Sequence, residues 1–441
     1  MADSSSAVIL TKRPEIRDVV RQALKARGVQ ADHIFPVTDE KECLKKLSEI
    51  EYGLLILDWE FAPDKVQAIL GDNRKEYRLE SHLVFLIAAR DEDAIIKVAQ
   101  EYYVNYVAIG EITTDTIRDQ IKGLVKEFTS TGPLRKMLLA VDSCRKSGDH
   151  LNALEMLEKL YAKQGDNEKI GMELAEAYIL DDRWQLAEDI LRKLLTAEDV
   201  SPRVKHLFAR CRLKAGDYNT AVASLKGAQL LSPYNIERLL EIGNLFLKLD
   251  RPEEAEDAFS EILDFAPGSK PAIFGQSTSK LLMGELNEAL QILNGVANPR
   301  ELSAIFNTAA IMAIKQQRFD AGFGLYQKAL QLLSKKPKLV SRILYNMGIG
   351  YVKMGKNDKG LKCFEKASEQ DPTFQDAAFN IKVLKTAPAT GPVATLKETS
   401  DLTEAASDMT EAEIPLMEMS FEHGEEEVEL DEVLSNISKV G

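Results

Sequence analysis

The chain of 441 residues predicts a multidomain protein: an N-terminal α/β domain with a parallel sheet, then an all-α solenoid, then a disordered acidic tail. Three observations predict this. Over 7–128, five short apolar runs alternate with five amphipathic stretches, the pattern of a doubly wound parallel sheet. Over 134–386, blocks about 34 residues long recur, and Gly148, Gly216, Gly284 and Gly355 line up in one frame. Of the net charge of −14, nearly all lies after Gly391, where about 14 acids face only Lys397 and Lys439. The expected divisions are a disordered leader over 1–6, the α/β domain over 7–128, a linker over 129–133, the solenoid over 134–386 and the tail over 387–441.

In order along the chain, strands are expected at Ala7–Leu10, Ile34–Val37, Gly53–Asp58, Leu83–Ala88 and about Tyr106–Ile109. Helices are expected at Pro14–Arg27, Asp39–Ile50, from Asp64 onward, at Asp91–Tyr102 and at Thr114–Phe128. With Pro14-Glu-Ile-Arg opening the first helix and the run LLILD ending at Asp58, this region resembles the receiver domain of response regulators, a flavodoxin-like (βα)5 fold. The resemblance implies that Asp58 stands at the phosphoacceptor position. It also implies an acidic pair for Mg²⁺ after the first strand, a Thr or Ser ending the fourth and a Lys ending the fifth.

Thr11 and Lys12, Ala88 and Ile109 stand at those places instead, with Ile87 the other alignment for Ala88 and Gly110 where Pro is usual. Phosphoryl transfer needs a metal and a cation to neutralise developing charge. One carboxylate, with Glu60 two residues on, makes a poor Mg²⁺ site. The region therefore reads as a degenerate receiver, a pseudo-receiver, with Lys12 expected to pair with Asp58. By resemblance, Asp91–Phe128 is the expected docking face for a protein partner. Tyr102, Tyr103 and Tyr106 lie on it, either as interface aromatics or as packed core.

The solenoid frame shows best in two blocks. Ala209 or Gly243 is followed by Ala221 or Ala255, then by Leu225 or Phe259 and by Ala228 or Ile262, and Pro233 or Pro267 closes the block. Small residues at fixed offsets let two helices of a hairpin approach closely. One hairpin cannot bury its own apolar face, so hairpins stack. This pattern resembles the tetratricopeptide repeat family. Seven units are expected, starting near Leu134, Glu168, Pro202, Ile236, Lys270, Ser303 and Ser341. The sixth is one residue early, the seventh follows about four extra residues around Lys336–Val340, and Phe374–Thr386 caps the array.

Such arrays bind peptides on a concave face lined by the first helix of each unit. The groove candidates are Arg203, His206, Arg210, Asn244, Lys248, Phe274, Asn307, Lys315, Arg342, Tyr345 and Lys353. Arg, Lys and Asn there suit a carboxylate or an acidic peptide through charge-assisted hydrogen bonds. Arg210 and Asn244 match part of a carboxylate clamp seen in some members of the family. The alternative is that these are solvated charges.

The four cysteines form no CxxC and read as packing thiols in a reducing compartment. No apolar run reaches membrane-spanning length and no signal peptide is evident, so a cytoplasmic protein is expected. A near-neutral solenoid and an acidic tail argue against nucleic acid. The histidines form no metal pair, and no catalytic constellation is present.

The expected function is a non-enzymatic interaction adaptor in bacterial two-component-type signalling, with no cofactor. One alternative is a working response regulator phosphorylated on Asp58 with Mg²⁺, using the repeats as output. Another is a chaperone of a secretion or assembly system. Within the tail, Ile414–Phe421 and Val428–Ile437 read as segments that fold on a partner. The tail is either solubilising or lies in the chain's own cationic groove.

Overall fold

The computed structural model describes residues 6–26, 28–50, 53–75, 82–89, 93–110, 115, 117, 119–120, 133–164, 167–386 and 396–397. The leader before Ser6, most of the helix expected at Thr114–Phe128, the linker before Pro133 and nearly all of the tail, with Ile414–Phe421, Val428–Ile437 and His423, lie outside the described residues. The chain divides into two compact units, 1–242 and 243–441.

The first unit opens with a five-stranded parallel sheet in the order β2-β1-β3-β4-β5, the flavodoxin-like order. The strands are β1 (Ser6–Leu10), β2 (Ile34–Val37), β3 (Gly53–Asp58), β4 (His82–Ala88) and β5 (Tyr106–Ile109). Between them run α1 (Pro14–Lys25), α2 (Glu40–Glu49), α3 (Pro63–Lys75) and α4 (Asp93–Glu101). Alternate strand residues feed two cores. Val8, Leu10, Leu55, Leu57, Val84 and Leu86 pack on one face. Ala7, Ile9, Leu54, Ile56, Phe85 and Ile87 pack on the other. Burial on both faces explains why the strands read as continuous apolar runs.

Helical hairpins follow: α5–α6 (Pro133–Lys146, His150–Lys163), α7–α8 (Glu168–Leu180, Trp184–Leu194) and α9–α10 (Pro202–Lys214, Tyr218–Leu231). A fourth pairs α11 (Ile236–Lys248) with α12 (Pro252–Phe265), and the division between the units falls within α11. In the second unit come α13–α14 (Lys270–Met283, Leu286–Leu293), α15–α16 (Pro299–Lys315, Phe319–Leu332) and α17–α18 (Pro337–Lys353, Asn357–Gln370). The last helix is α19 (Gln375–Thr386).

Every hairpin turns through one residue in the left-handed region. Gly148, Gly216, Gly284 and Gly355 hold it with φ of 79°, 78°, 85° and 74°. In the other three hairpins Asp182, Asp250 and Gln317 take the same conformation at 60°, 58° and 63°. Successive turn residues are therefore 34, 34, 34, 34, 33 and 38 apart. The glycines that betray the frame are there because only glycine adopts this conformation without a Cβ penalty.

The small residues inside helices have a different cause. Phe259 packs against the backbone of α11 and α13 at Gly243 and Gly275. A Cβ added at Gly243 would stand 2.6 Å from its ring, and one at Gly275 closer still.

Two expected starts need correction. The sixth and seventh hairpins begin at Pro299 and Pro337, not near Ser303 and Ser341. Their first helices have 17 residues each: in the seventh the extra residues join the helix as an added first turn, while in the sixth the preceding helix is only Leu286–Leu293 and the next one starts early. Proline at the first helical position favours that start. At Asn298 a capping box with Glu301 fixes it further.

All four cysteines are free. Burial pushes the thiols of Cys43 and Cys363 up to about 12 and that of Cys211 to about 11. Among the described residues no helix is long and apolar enough to cross a membrane.

Candidate functional site

Asp58 ends β3 with 1% of its surface exposed. A lone buried carboxylate needs donors, and the β1–α1 loop supplies them. The Thr11 hydroxyl donates to its Oδ2. Arg13 donates from Nε to Oδ2 at 2.9 Å and from Nη2 to Oδ1 at 2.5 Å, a two-pronged pair. The backbone N–H of Glu60 adds a bond at 3.2 Å. Arg13 Nη2 also reaches Glu60 Oε2 at 2.9 Å, and Glu60 Oε1 accepts from the N–H of Ala89. The cation beside Asp58 is therefore Arg13 and not Lys12, whose Nζ sits 4.6 Å over the ring of Phe61. Ala88 and Ile109 face each other across β4 and β5, while Ile87 lies opposite Asp58. Neither Ala88 nor Ile109 brings a polar side chain to the carboxylate.

The second cluster joins the sheet domain to the first hairpins. The buried Arg74 of α3 donates to Glu173 at 3.3 Å and to Glu176 at 2.5 Å, both on α7. Arg145 of α5 pairs with Glu173 from the other side. Burial pushes the Glu173 carboxyl up, but Arg145 and Arg74 outweigh it and hold it at about 2. At the end of α4, Glu101 pairs with Arg238, which is wholly buried and also donates to the carbonyls of Ala228 and Ser232. Asn235 Nδ2 donates to Glu101 at 2.8 Å and to the Tyr102 hydroxyl at 2.9 Å. Tyr103, with a positive φ of 56°, lies between Arg74, Lys169 and Arg203. Lys97 and Gln100 both bond Asp199. Trp59 meets Tyr234 edge-on at 6.1 Å.

Part of the face expected to receive a partner, the end of α4 with Tyr102 and Tyr103, is thus taken by the chain's own helices, while Ile96 of α4 is exposed and Tyr106 on β5 is half-buried. The expected basic groove is corrected in the same region. Arg203 bonds Glu176 at 2.6 Å, His206 bonds Glu241 at 2.9 Å and Arg210 lies 3.9 Å from Glu176. All three line a cavity of about 220 Å³ with Arg74, Tyr102 and Glu241. Its cations are matched by glutamates, so it offers no surplus positive charge.

The remaining groove residues belong to the second unit. Asn244, Lys248, Lys315 and Lys353 are exposed, and Phe274 is half-buried. Asn307 is buried and accepts from Asn346 at 2.8 Å, so it ties neighbouring helices together. The Arg342 guanidinium lies 5.2 Å over Phe374. Tyr345 is wholly buried, and its hydroxyl donates to the carbonyl of Lys397. The described tail residues, Leu396 and Lys397, meet the repeats through backbone and a lysine rather than through acids. Among the described residues no cluster of three or more His, Cys, Asp or Glu is arranged to hold a metal.

Residues 145–211, 212–275 and 341–374 match the tetratricopeptide repeat. The chain is 25% identical over 172 residues to human protein O-mannosyl-transferase TMTC1, covering 37% of this chain and 18% of that protein. It is 28% identical over 145 residues to the Drosophila melanogaster BBSome complex member BBS4 homolog, covering 32% and 28%. The chain thus spans under a third of the length of either relative. A crystal structure of a tetratricopeptide repeat protein from Parabacteroides merdae aligns over 57% of this chain and 98% of its own, at 15% identity and a TM-score of 0.40. Tetratricopeptide repeat proteins are generally protein-interaction adaptors and typically not enzymes.

Arg13, Arg238 and Asn380 escaped sequence reasoning. Arg13 is next to Lys12, and the loop path alone decides which of the two reaches Asp58. Asn380 did carry a signal: it sits between Ala377 and Leu384 in the buried stripe of α19, where an apolar residue is expected.

Proposed function

We propose that this chain is a non-enzymatic protein-interaction adaptor of bacterial two-component-type signalling. In this reading the sheet domain is a receiver-like element that no longer takes a phosphoryl group, and the repeats of the second unit bind a partner. The observation that carries the reading is the Arg13 guanidinium bonded to Asp58 and Glu60 together. A divalent cation would need that same space between the carboxylates, and Mg²⁺ accepts little departure from octahedral oxygen ligation. The residues present therefore do not fit Mg²⁺. With α4 fixed on the first hairpins, the domain serves as a permanent part of the array.

Incubation with Mg²⁺ and acetyl phosphate, followed by intact mass, tests the first half. Wild type and Asp58→Ala are expected to show no phosphoryl adduct. An adduct on wild type that Asp58→Ala abolishes would restore the response-regulator reading. The second half predicts that Lys315→Glu changes stability by less than about 0.5 kcal/mol while weakening capture of the physiological partner.

A further inference from the structure

We propose that Tyr345 and Asn380 form a clamp for the backbone of an extended peptide, and that the chain's own Leu396–Lys397 segment occupies it. The inference rests on reading the repeats as a peptide-binding array, and it identifies one binding position and its occupant.

Asn380 is wholly buried. Its Oδ1 accepts from the backbone N–H of Lys397 at 3.0 Å, and its Nδ2 donates to the carbonyl of the same residue at 3.1 Å. One side-chain amide therefore satisfies both backbone groups of one residue, as a neighbouring strand would. The Tyr345 hydroxyl donates to the same carbonyl and accepts from Asn380 Nδ2 at 3.0 Å. Phe364 and Phe374 hold the Tyr345 ring at centroid distances of 5.2 and 4.8 Å. The clamp is thus a rigid construction reaching out of the helical core.

A buried amide left without partners is costly, so whatever occupies this position must offer an extended N–H and C=O. The side-chain surroundings narrow the class. Lys397 Nζ lies 3.2 Å from Asp376 and 5.2 Å over the ring of Phe379, which is 41% exposed. An acid beside an exposed ring suits a cation. Leu396 is half-buried before it. The fitting ligand is an extended peptide with an apolar residue followed by Lys or Arg.

Only residues 387–395 connect α19 to the clamped segment. A connection so short gives an effective concentration of roughly millimolar. The segment therefore competes with any weak ligand arriving from outside.

The test uses the full chain and a fluorescein-labelled peptide of residues 392–401. Lys397→Pro removes the N–H that Asn380 accepts, and the substitution lies outside the repeats, so they stay folded. The peptide is expected to bind Lys397→Pro about tenfold or more tightly than wild type. Adding Asn380→Asp to that variant should abolish the gain. In wild type, hydrogen exchange of the Lys397 amide should be slowed about tenfold relative to Asn380→Leu, with circular dichroism confirming that the variant is folded. Equal peptide affinity for wild type and Lys397→Pro, or equal exchange with and without Asn380, overturns the proposal. If exchange is equal while partner capture still depends on Lys315, the clamp fails and the adaptor reading stands.

Discussion

Helices α9 and α15 open equivalent hairpins, yet their charges meet opposite circumstances. On α9, Arg203, His206 and Arg210 all face glutamates, and Arg203 also lies against Tyr103 of the sheet domain. On α15, Lys315 is exposed to solvent. The repeat frame fixes where a side chain emerges. What it meets there is decided by a different stretch of chain, and for the first hairpins that stretch is α3 and α4. Charges on the opening helix thus serve as internal glue in one hairpin and as surface in the other.

If the first hairpins use their charges structurally, the largest loss should come from Arg238→Ala. It leaves Glu101 buried without its cation, and the expected cost is about 3–5 kcal/mol in urea unfolding of the full chain. Pairing Arg238→Met with Glu101→Leu should recover part of it, because no unpaired buried charge remains, while the carbonyls of Ala228 and Ser232 still lose a donor. A cost under about 1 kcal/mol would mean that the ion pair does not hold α4 in place.

Acid is the next probe. The Glu173 carboxyl is held below its ordinary value, so its contribution is complete above the unfolded pKa of about 4.3. It is lost as pH falls through about 2. Thermal melts between those values should show falling stability, and Glu173→Gln should flatten that slope.

In the second unit the largest penalties should come from packing. Gly243→Ala drives a methyl group into Phe259 and is expected to cost about 1–3 kcal/mol, relieved by Phe259→Leu. Gly324 has nothing within 4 Å of an added Cβ, so Gly324→Ala should stabilise its helix by about 0.5–1 kcal/mol. The smallest effect is at the turns. Gln317→Gly relieves left-handed strain of about 1–2 kcal/mol but adds about 0.5–1 kcal/mol of unfolded-chain entropy. The expected net gain is about 0.5 kcal/mol by thermal melting.

The sheet was legible because buried parallel strands are apolar throughout, and Gly53–Asp58 shows this plainly. Four of the seven turns were legible because they use glycine; Asp182, Asp250 and Gln317 carry no such mark and emerged only with the structure. The candidate sites were much less so. Glu101 and Arg238 are 137 residues apart, and neither is marked by its neighbours in sequence. Arg74 and Glu173 are 99 apart. Such pairings depend on how the sheet domain docks, which local periodicity does not encode. Asn380 was overlooked because a polar residue in an apolar stripe looks like noise until its partner is seen.

The last turn spacing, 38 where its predecessors are 33 or 34, has a consequence for how this architecture tolerates inserted sequence. Four residues make slightly more than one helical turn, with a rotation of about 40° beyond a full circle. The 17-residue α17 therefore presents nearly the same face to its neighbours as a 13-residue helix would. Length enters the array in whole turns, as beads on a thread of fixed pitch. Insertions of one or two residues would turn the buried side of a helix toward solvent, whereas insertions of about four lengthen it and leave its contacts in phase.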